Sequence, residues 1–178
     1  MENSAIQILQ FGTGNFLRAF IEPMVQDLFK SGKPLNICMI QTTGGKTLEG
    51  LQNQNFQYHV VVAGIQNGQK IEETQKITCI KEGLNLPFES ERFLNFASEP
   101  EVKWILSNVT EAGMVYKNEG PITEFAESFA GRLTQWLYRR FQTLPEAQTV
   151  ILPCELLPKN GDVLKEFVVK HASNWQLP

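Results

Sequence analysis

The sequence predicts an α/β domain built on a doubly wound, mostly parallel sheet. Segments in which apolar and polar residues alternate are interleaved with segments in which apolar residues recur at helical spacing. The first three segments form a β-α-β unit, with a strand at residues 6–11, a helix at 16–29 and a strand at 37–40. Strands joined by a helix are expected to lie parallel with a right-handed crossover. The repeated alternation therefore predicts helices on both faces of one sheet.

The rest of the chain continues this alternation, with one interruption. Two β-rich segments, 58–65 and 71–80, flank the turn signal Asn67-Gly68 and predict an antiparallel hairpin inserted on the sheet. The remaining predicted elements, in chain order, are a helix at 89–97, a strand at 102–106, a helix at 123–141, a strand at 150–152, and a last helix that is capped by Asp162 and runs to about Asn174.

Length and composition narrow the classes of function. A chain of 178 residues is the size of one domain, and we expect a single domain over residues 1–178. Its net charge of −3 gives no general attraction to nucleic acid. No Cys-x-x-Cys pair or other metal-ligand motif predicts a metal site. With neither a signal peptide nor an apolar run of about 20 residues, the sequence predicts a cytoplasmic protein that does not enter a membrane.

The strongest local motif is Gly12-Thr13-Gly14-Asn15-Phe16-Leu17, directly between the first predicted strand and the first predicted helix. In a Rossmann-like fold this turn binds phosphate. Its first glycine permits the tight turn, and its second lets the backbone approach a diphosphate closely. Free amides at the positive end of the helix then bind the diphosphate. Leu17 stands where a third glycine is usual. The motif predicts dinucleotide binding, and the alternative is a tight β-α turn with no ligand.

The choice between NAD and NADP is commonly decided at the end of the second strand, where an acid holds the ribose 2′-hydroxyl. Here that strand ends in Gln41-Thr42-Thr43. Gln41 or Thr42 can hydrogen-bond a ribose, whereas Lys46 can pair with a 2′-phosphate or simply be a solvated loop lysine. The residues alone therefore leave both cofactors open.

A polar segment, Ser107-Asn108-Val109-Thr110-Glu111, follows the strand predicted at 102–106. In open parallel sheets ligands lie beyond the carboxyl ends of the strands. We therefore place Asn108 and Thr110 near the nicotinamide end of a cofactor, and Glu111 as a substrate contact or general base. The alternative is a capped loop with no ligand.

Five blocks of the sequence together resemble the mannitol dehydrogenase, or polyol-specific long-chain dehydrogenase, family. These blocks lie in family order at residues 8–20, 107–113, 153–156, 160–162 and 175–178. The family's loop pattern, Gly-x-Gly-x-Phe-x-Arg, matches Gly12 to Arg18 and accounts for the missing third glycine. The resemblance implies a Rossmann-like fold and an NAD-linked oxidoreductase. Such an enzyme would interconvert a keto sugar acid and its hydroxy acid in hexuronate breakdown, without a metal.

The resemblance also implies roles for individual residues. The expected cofactor-binding residues are Phe11, Gly12, Thr13, Gly14, Asn15, Phe16, Leu17, Arg18, Gln41, Asn108 and Thr110. The expected substrate-binding residues are Glu111, Glu155 and Asn160. Members of the family carry their catalytic lysine in a C-terminal helical domain, within a Lys-x4-Asn-x2-His pattern that this sequence lacks. No catalytic residue is therefore assigned in this chain, and its expected partner is a C-terminal domain of the same enzyme.

One departure from the family concerns the substrate. Polyol-oxidising relatives have Cys-Asp-Asn where this sequence has Cys154-Glu155-Leu156, which favours a sugar acid over mannitol. Asn160 can then supply an amide, and Glu155 can order the loop. The alternatives are a non-catalytic nucleotide-binding module, or another member of the family such as fructuronate reductase or mannitol dehydrogenase.

Overall fold

The computed structural model describes residues 5–33, 35–86 and 88–178, and it includes the backbone but not the side chain of Glu111. Within these residues five strands form one parallel sheet in the order β5-β2-β1-β6-β7. The strands are β1 (Ile8–Phe11), β2 (Ile37–Gln41), β5 (Ile80–Asn85), β6 (Trp104–Ser107) and β7 (Val150–Pro153). The predicted parallel sheet is confirmed.

The strand order reverses direction next to β1. From β1 the chain adds β2 and then β5 on one side, and it returns to add β6 and β7 on the other. Phe11, the last residue of β1, pairs with Ile40 of β2 and Ser107 of β6, so the three strands end at one level. In open α/β sheets the crevice for a ligand forms at such a reversal.

Alternate residues of the central strands point into two separate cores. Leu9 and Cys38 lie in one core, whereas Ile8 and Ile37 lie in the other. All four residues of β1 are buried, as expected for a central parallel strand that is covered on both faces. The helices that cover the sheet are α1 (Glu22–Lys30), α2 (Thr47–Asn53), α3 (Ser90–Asn95), α4 (Phe129–Thr143) and α5 (Asn160–Asn174). This two-sided packing confirms the doubly wound class.

The predicted antiparallel hairpin is present and forms its own two-stranded sheet. Its strands, β3 (Tyr58–Gln66) and β4 (Gln69–Ile77), meet at Asn67 and Gly68, which both have positive φ. The second strand is shorter than the predicted 71–80. The Gln26 side chain of α1 accepts hydrogen bonds from the next two amides, Thr78 at 2.6 Å and Cys79 at 3.0 Å, where the ladder ends. The chain then enters β5, a strand that the sequence did not predict.

Two predicted helix starts were wrong. The helix predicted from residue 123 begins at Phe129, because the Ser128 hydroxyl accepts a hydrogen bond from the Gly131 amide at 3.1 Å and caps the helix there. The last helix begins at Asn160 rather than at a cap formed by Asp162, which lies inside its first turn. The helix predicted at 16–29 is present, but a π-helical turn over Leu17–Ile21 precedes α1.

Candidate functional site

A cleft of about 320 Å³ opens at the carboxyl ends of β1, β2 and β6. This is the crevice created by the reversal of strand order. Its lining residues come from the glycine loop, the end of β2, the segment after β6 and the start of α4. They are Gly12, Thr13, Gly14, Thr42, Thr43, Asn108, Val109, Thr110, Ala112, Gly113, Val115, Lys117, Glu127, Ser128, Phe129 and Arg132. Four polar residues that the sequence predicted near a cofactor therefore share this cavity, namely Thr13, Thr42, Asn108 and Thr110.

The two glycines of the loop serve different purposes. Gly12 has a φ of +114°, and a Cβ atom there would lie 3.2 Å from the Asn108 carbonyl oxygen and 3.3 Å from Leu17 Cδ1. Gly12 is therefore required by the backbone conformation and by the close approach of the segment after β6. Gly14 has an ordinary φ, and a Cβ built on it would find no atom within 4 Å. Its missing side chain leaves open space on the wall of the cleft.

Backbone donors of the loop are unused within the described part of the chain. The amides of residues 13–16 donate no hydrogen bond there, whereas the Gly12 amide is bound to the Ile40 carbonyl at 3.0 Å. These free amides belong to the loop and first turn that open the helix leading into α1. Unpaired amides at a helix N-terminus form a site for an anion.

Arg18 fixes the shape of this loop from outside. Its Nε donates to the Thr13 carbonyl at 3.0 Å, and its Nη2 donates to Asn15 Oδ1 at 2.5 Å. The guanidinium therefore ties the helix to the loop it follows. Phe16, which is predicted to bind cofactor, is exposed beside it and stacks at 5.3 Å on Phe20.

A buried polar group supports the loop from below. Gln10 Nε2 donates to the Gly12 carbonyl at 3.1 Å and to Glu22 Oε1 at 2.8 Å. The Tyr58 hydroxyl donates to the Arg18 carbonyl at 2.7 Å and also contacts Glu22 Oε2. Burial raises the pKa of the Glu22 carboxyl, and burial together with Glu22 raises the pKa of Tyr58. The single phenolic hydrogen of Tyr58 is therefore shared between the Arg18 carbonyl and Glu22 Oε2.

Six of the predicted cofactor-binding residues are absent from the lining of the cleft: Asn15, Phe16 and Arg18, described above, and Phe11, Leu17 and Gln41. Phe11 and Leu17 are fully buried, and the Phe11 ring packs in the core. Gln41 is 5 % exposed, and its amide binds the Gly45 carbonyl at 3.1 Å and the Leu48 amide at 3.1 Å. The side chain of Gln41, at the end of β2, thus holds the loop that leads into α2. Thr42 and Thr43 line the cleft instead.

Asn108 and Thr110 lie on the cleft as expected. Asn108 Nδ2 donates to the Cys154 carbonyl at 2.7 Å, which joins the ends of β6 and β7. The backbone N–H of Asn108 donates to the Phe11 carbonyl at 3.1 Å, and this bond holds the segment after β6 against β1. The Thr110 carbonyl accepts hydrogen bonds from Gly113 and Met114 and so forms a short turn along the wall. The side chain of Glu111, the predicted substrate contact, lies outside the described part of the structure.

The other two predicted substrate contacts build their own loop. Glu155 is 6 % exposed, and its Oε1 accepts a hydrogen bond from the Val109 amide at 3.1 Å. Asn160 Nδ2 donates to the carbonyls of Pro153 and Glu155, both at 3.0 Å, and its Oδ1 accepts from Gly161 at 2.7 Å. Glu155 therefore orders the loop, which was one of its two expected roles. Both hydrogen bonds that Asn160 Nδ2 donates therefore lie within the same loop.

Lys117, Ser128 and Arg132 complete the cleft, and the sequence analysis missed all three. Lys117 lies in a segment that has no helix or strand in the structure and for which none was predicted. Ser128 lies within the helix predicted from residue 123, which the structure begins only at Phe129. Ser128 carried a detectable signal, because a serine before an apolar helical run is a common N-cap. Nothing in the local pattern distinguished Arg132 from a solvated arginine.

Comparison with known proteins now adds to this geometry. The model of the mannitol dehydrogenase Rossmann domain matches residues 6–177. The chain belongs to that family. Among curated relatives, an altronate oxidoreductase of Halalkalibacterium halodurans is 39% identical over 178 residues, covering 97% of this chain and 35% of the relative. An altronate oxidoreductase of Bacillus subtilis is 34% identical over 176 residues, covering 96% and 37%.

Solved structures of the family share the fold. A D-sorbitol dehydrogenase in substrate-free form superposes with a TM-score of 0.80 at 20% identity, covering 96% of this chain and 38% of that one. A Pseudomonas fluorescens mannitol 2-dehydrogenase, in a ternary complex with NAD and D-mannitol, gives a TM-score of 0.80 at 18% identity, covering 96% and 37%. The chain thus spans little more than a third of the length of the proteins it matches. Within the described residues, none of the helices is long and apolar enough to cross a membrane.

Proposed function

We propose that this chain is the NAD-binding part of an oxidoreductase that interconverts tagaturonate, a keto sugar acid, and altronate, its hydroxy acid. The observation that carries the proposal is the cleft at the strand reversal, with the glycine loop and its unpaired amides on one wall. The altronate oxidoreductases among the relatives support the substrate, because the likeness to them extends over nearly the whole chain.

The residues of the cleft fit a dinucleotide. The free amides of residues 13–16 match the charge of a diphosphate, and the space beside Gly14 admits its close approach to the backbone. Thr42 and Thr43 lie at the end of β2, where the adenosine ribose of a dinucleotide is held. Asn108 and Thr110 extend the wall along β6, toward the nicotinamide end. When bound, the reduced nicotinamide supplies the hydride for the keto carbon.

The proton for that reduction is proposed to come from a lysine outside this chain. The Lys-x4-Asn-x2-His pattern that carries the family's catalytic lysine is absent from this sequence. The proposed partner is therefore the C-terminal part of the enzyme, which would close the nicotinamide end. Such a partner would also cover the apolar stripe, which we define as Phe16, Phe20, Met24 and Leu28. These residues are spaced four apart and are between 42% and 51% exposed.

The experiment that tests this proposal separates binding from turnover. Isothermal titration of the 178-residue chain with NADH should give saturable binding, and adenosine alone should bind more weakly. The same chain should show no NADH-dependent reduction of tagaturonate, whereas the protein encoded by the complete reading frame should show it. Absence of NADH binding would refute the cofactor site. Reduction of another sugar acid or a polyol, with tagaturonate left unchanged, would refute the substrate.

A further inference from the structure

The cleft is lined by two cations that the family motif does not include. Lys117 and Arg132 line the same cavity as Gly12 and Gly14. The positive end of α4 also lies at this cavity, because Ser128 caps that helix and is one of the lining residues. The cavity therefore combines two cationic side chains with a helix N-terminus, against the single carboxylate of Glu127 among its lining residues.

Arg132 is held in place by one part of its side chain while another part stays available. Its Nε donates to the Ala126 carbonyl at 2.8 Å, and its guanidinium carbon lies 5.4 Å from the centre of the Phe125 ring. Among the described residues neither Nη1 nor Nη2 donates a hydrogen bond, although the carboxylates of Glu119 and Glu127 act on the guanidinium through their charges. Two such N–H groups on a fixed plane match the geometry of two phosphate oxygens.

Lys117 has only a weak partner. Its Nζ lies 3.4 Å from Glu127 Oε2, and the two side chains are 50% and 80% exposed. An exposed pair of this kind stabilises a fold by about 0.2–1 kcal/mol, so a phosphate can compete for the ammonium. Glu127 lines the cleft as well, and its carboxylate opposes an incoming anion.

We infer that Lys117 and Arg132 form a second phosphate-binding group, which takes the diphosphate of an adenosine diphosphate moiety together with the glycine loop. The inference rests on the proposed nucleotide site and deepens it. The bound moiety is the adenosine side of the cofactor, because Thr42 and Thr43, at the end of β2 where the adenosine ribose is proposed to bind, line the same cavity. A cofactor can present two kinds of phosphate to these cations, the diphosphate and a ribose 2′-phosphate, and the test below distinguishes them.

The test compares nucleotides on matched variants of the 178-residue chain. Affinities for ADP, adenosine and adenosine 2′,5′-bisphosphate are measured by isothermal titration for the wild type, Arg132→Gln, Lys117→Gln and Glu127→Gln. Arg139→Gln is the control, since Arg139 lies on the same helix but binds Glu91 and Asn95 at the surface. Circular dichroism verifies that each variant is folded.

The expected results differ in sign. Arg132→Gln should weaken ADP about tenfold and Lys117→Gln about threefold, while adenosine affinity stays unchanged in both. Glu127→Gln should tighten ADP binding about threefold, because it removes a negative charge from the cleft. A merely structural role for the pair of Lys117 and Glu127 would instead make both variants weaker.

Two results would overturn the inference. The first is an Arg132→Gln variant that binds ADP as tightly as the wild type does. This result would refute the role of Arg132 and leave the proposed cofactor site intact. The other is a loss confined to adenosine 2′,5′-bisphosphate, which would assign the cations to a 2′-phosphate. If the wild type bound no nucleotide at all, the proposed function itself would have failed.

Discussion

Replacing each loop glycine by alanine should separate folding from cofactor binding. In Gly12→Ala the new Cβ meets the Asn108 carbonyl oxygen at 3.2 Å and Leu17 Cδ1 at 3.3 Å, and the φ of +114° is strained for any L side chain. Strain of this kind costs about 1–3 kcal/mol, whereas the reduced entropy of the unfolded chain returns about 0.4–1 kcal/mol. The variant should therefore lose up to about 2.6 kcal/mol of unfolding free energy.

Gly14→Ala is the matched comparison, because its Cβ meets nothing within 4 Å and its φ is ordinary. Its unfolding free energy should stay the same or rise by about 0.4–1 kcal/mol. Its methyl group, however, occupies the space that a diphosphate needs for close approach to the loop, so NADH affinity should fall at least about tenfold.

Urea unfolding and isothermal titration with NADH measure the two quantities on the same preparations. The reasoning would be refuted if Gly14→Ala bound NADH like the wild type, or if it were destabilised as much as Gly12→Ala. The first result would show that the cofactor does not occupy the space beside Gly14. The second would show that both glycines serve the fold alone.

Three further changes test other parts of the account. Glu22→Gln should gain stability relative to the wild type as pH rises above 4.5, the usual pKa of this carboxyl. Because the pKa of Glu22 is raised in the native state, the native wild type binds a proton that the unfolded chain has already released, and its stability falls as pH rises. Urea unfolding at several pH values would contradict this if the difference in unfolding free energy between variant and wild type stayed constant. Ser128→Ala should lower the free energy of unfolding by about 1 kcal/mol, because it removes the cap of α4. Ser173→Ala, near the end of α5, is the control and should lower it much less. Equal losses of stability in urea unfolding would contradict the capping role of Ser128. Phe20→Ser in the apolar stripe should leave stability nearly unchanged and weaken binding of the separately produced C-terminal part of the enzyme. Unchanged binding in isothermal titration would contradict the docking role of the stripe.

The sequence was most informative where one physical constraint dominates. Central strands buried on both faces need largely apolar runs, and for that reason β2 was predicted to within one residue and β1 to within two. The glycine loop was equally predictable, because a turn between a strand and a helix at a strand reversal admits few residue types. Both features leave a pattern in consecutive residues.

The sequence was least informative where a distant side chain decides the outcome. Lys81, Glu82 and Gly83 give β5 a polar pattern, and the strand forms because it pairs with β2 at the edge of the sheet. Gln41 looks like a ribose ligand until the loop at Gly45 and Leu48 is seen to use both ends of its amide. Asn160 shows the same effect, since the carbonyls that take its hydrogens come from the preceding loop.

The central claim is that a nicotinamide dinucleotide lies across the carboxyl ends of β1, β2 and β6. Amide NMR spectra recorded during titration of the chain with NADH test it most directly, because each backbone position reports separately. The account predicts saturable shifts for residues 12–16, for Thr42 and Thr43, and for Asn108 to Thr110, with the amides at the far end of the sheet unmoved. A folded chain whose resonances from these residues stay in place at saturating NADH would contradict it.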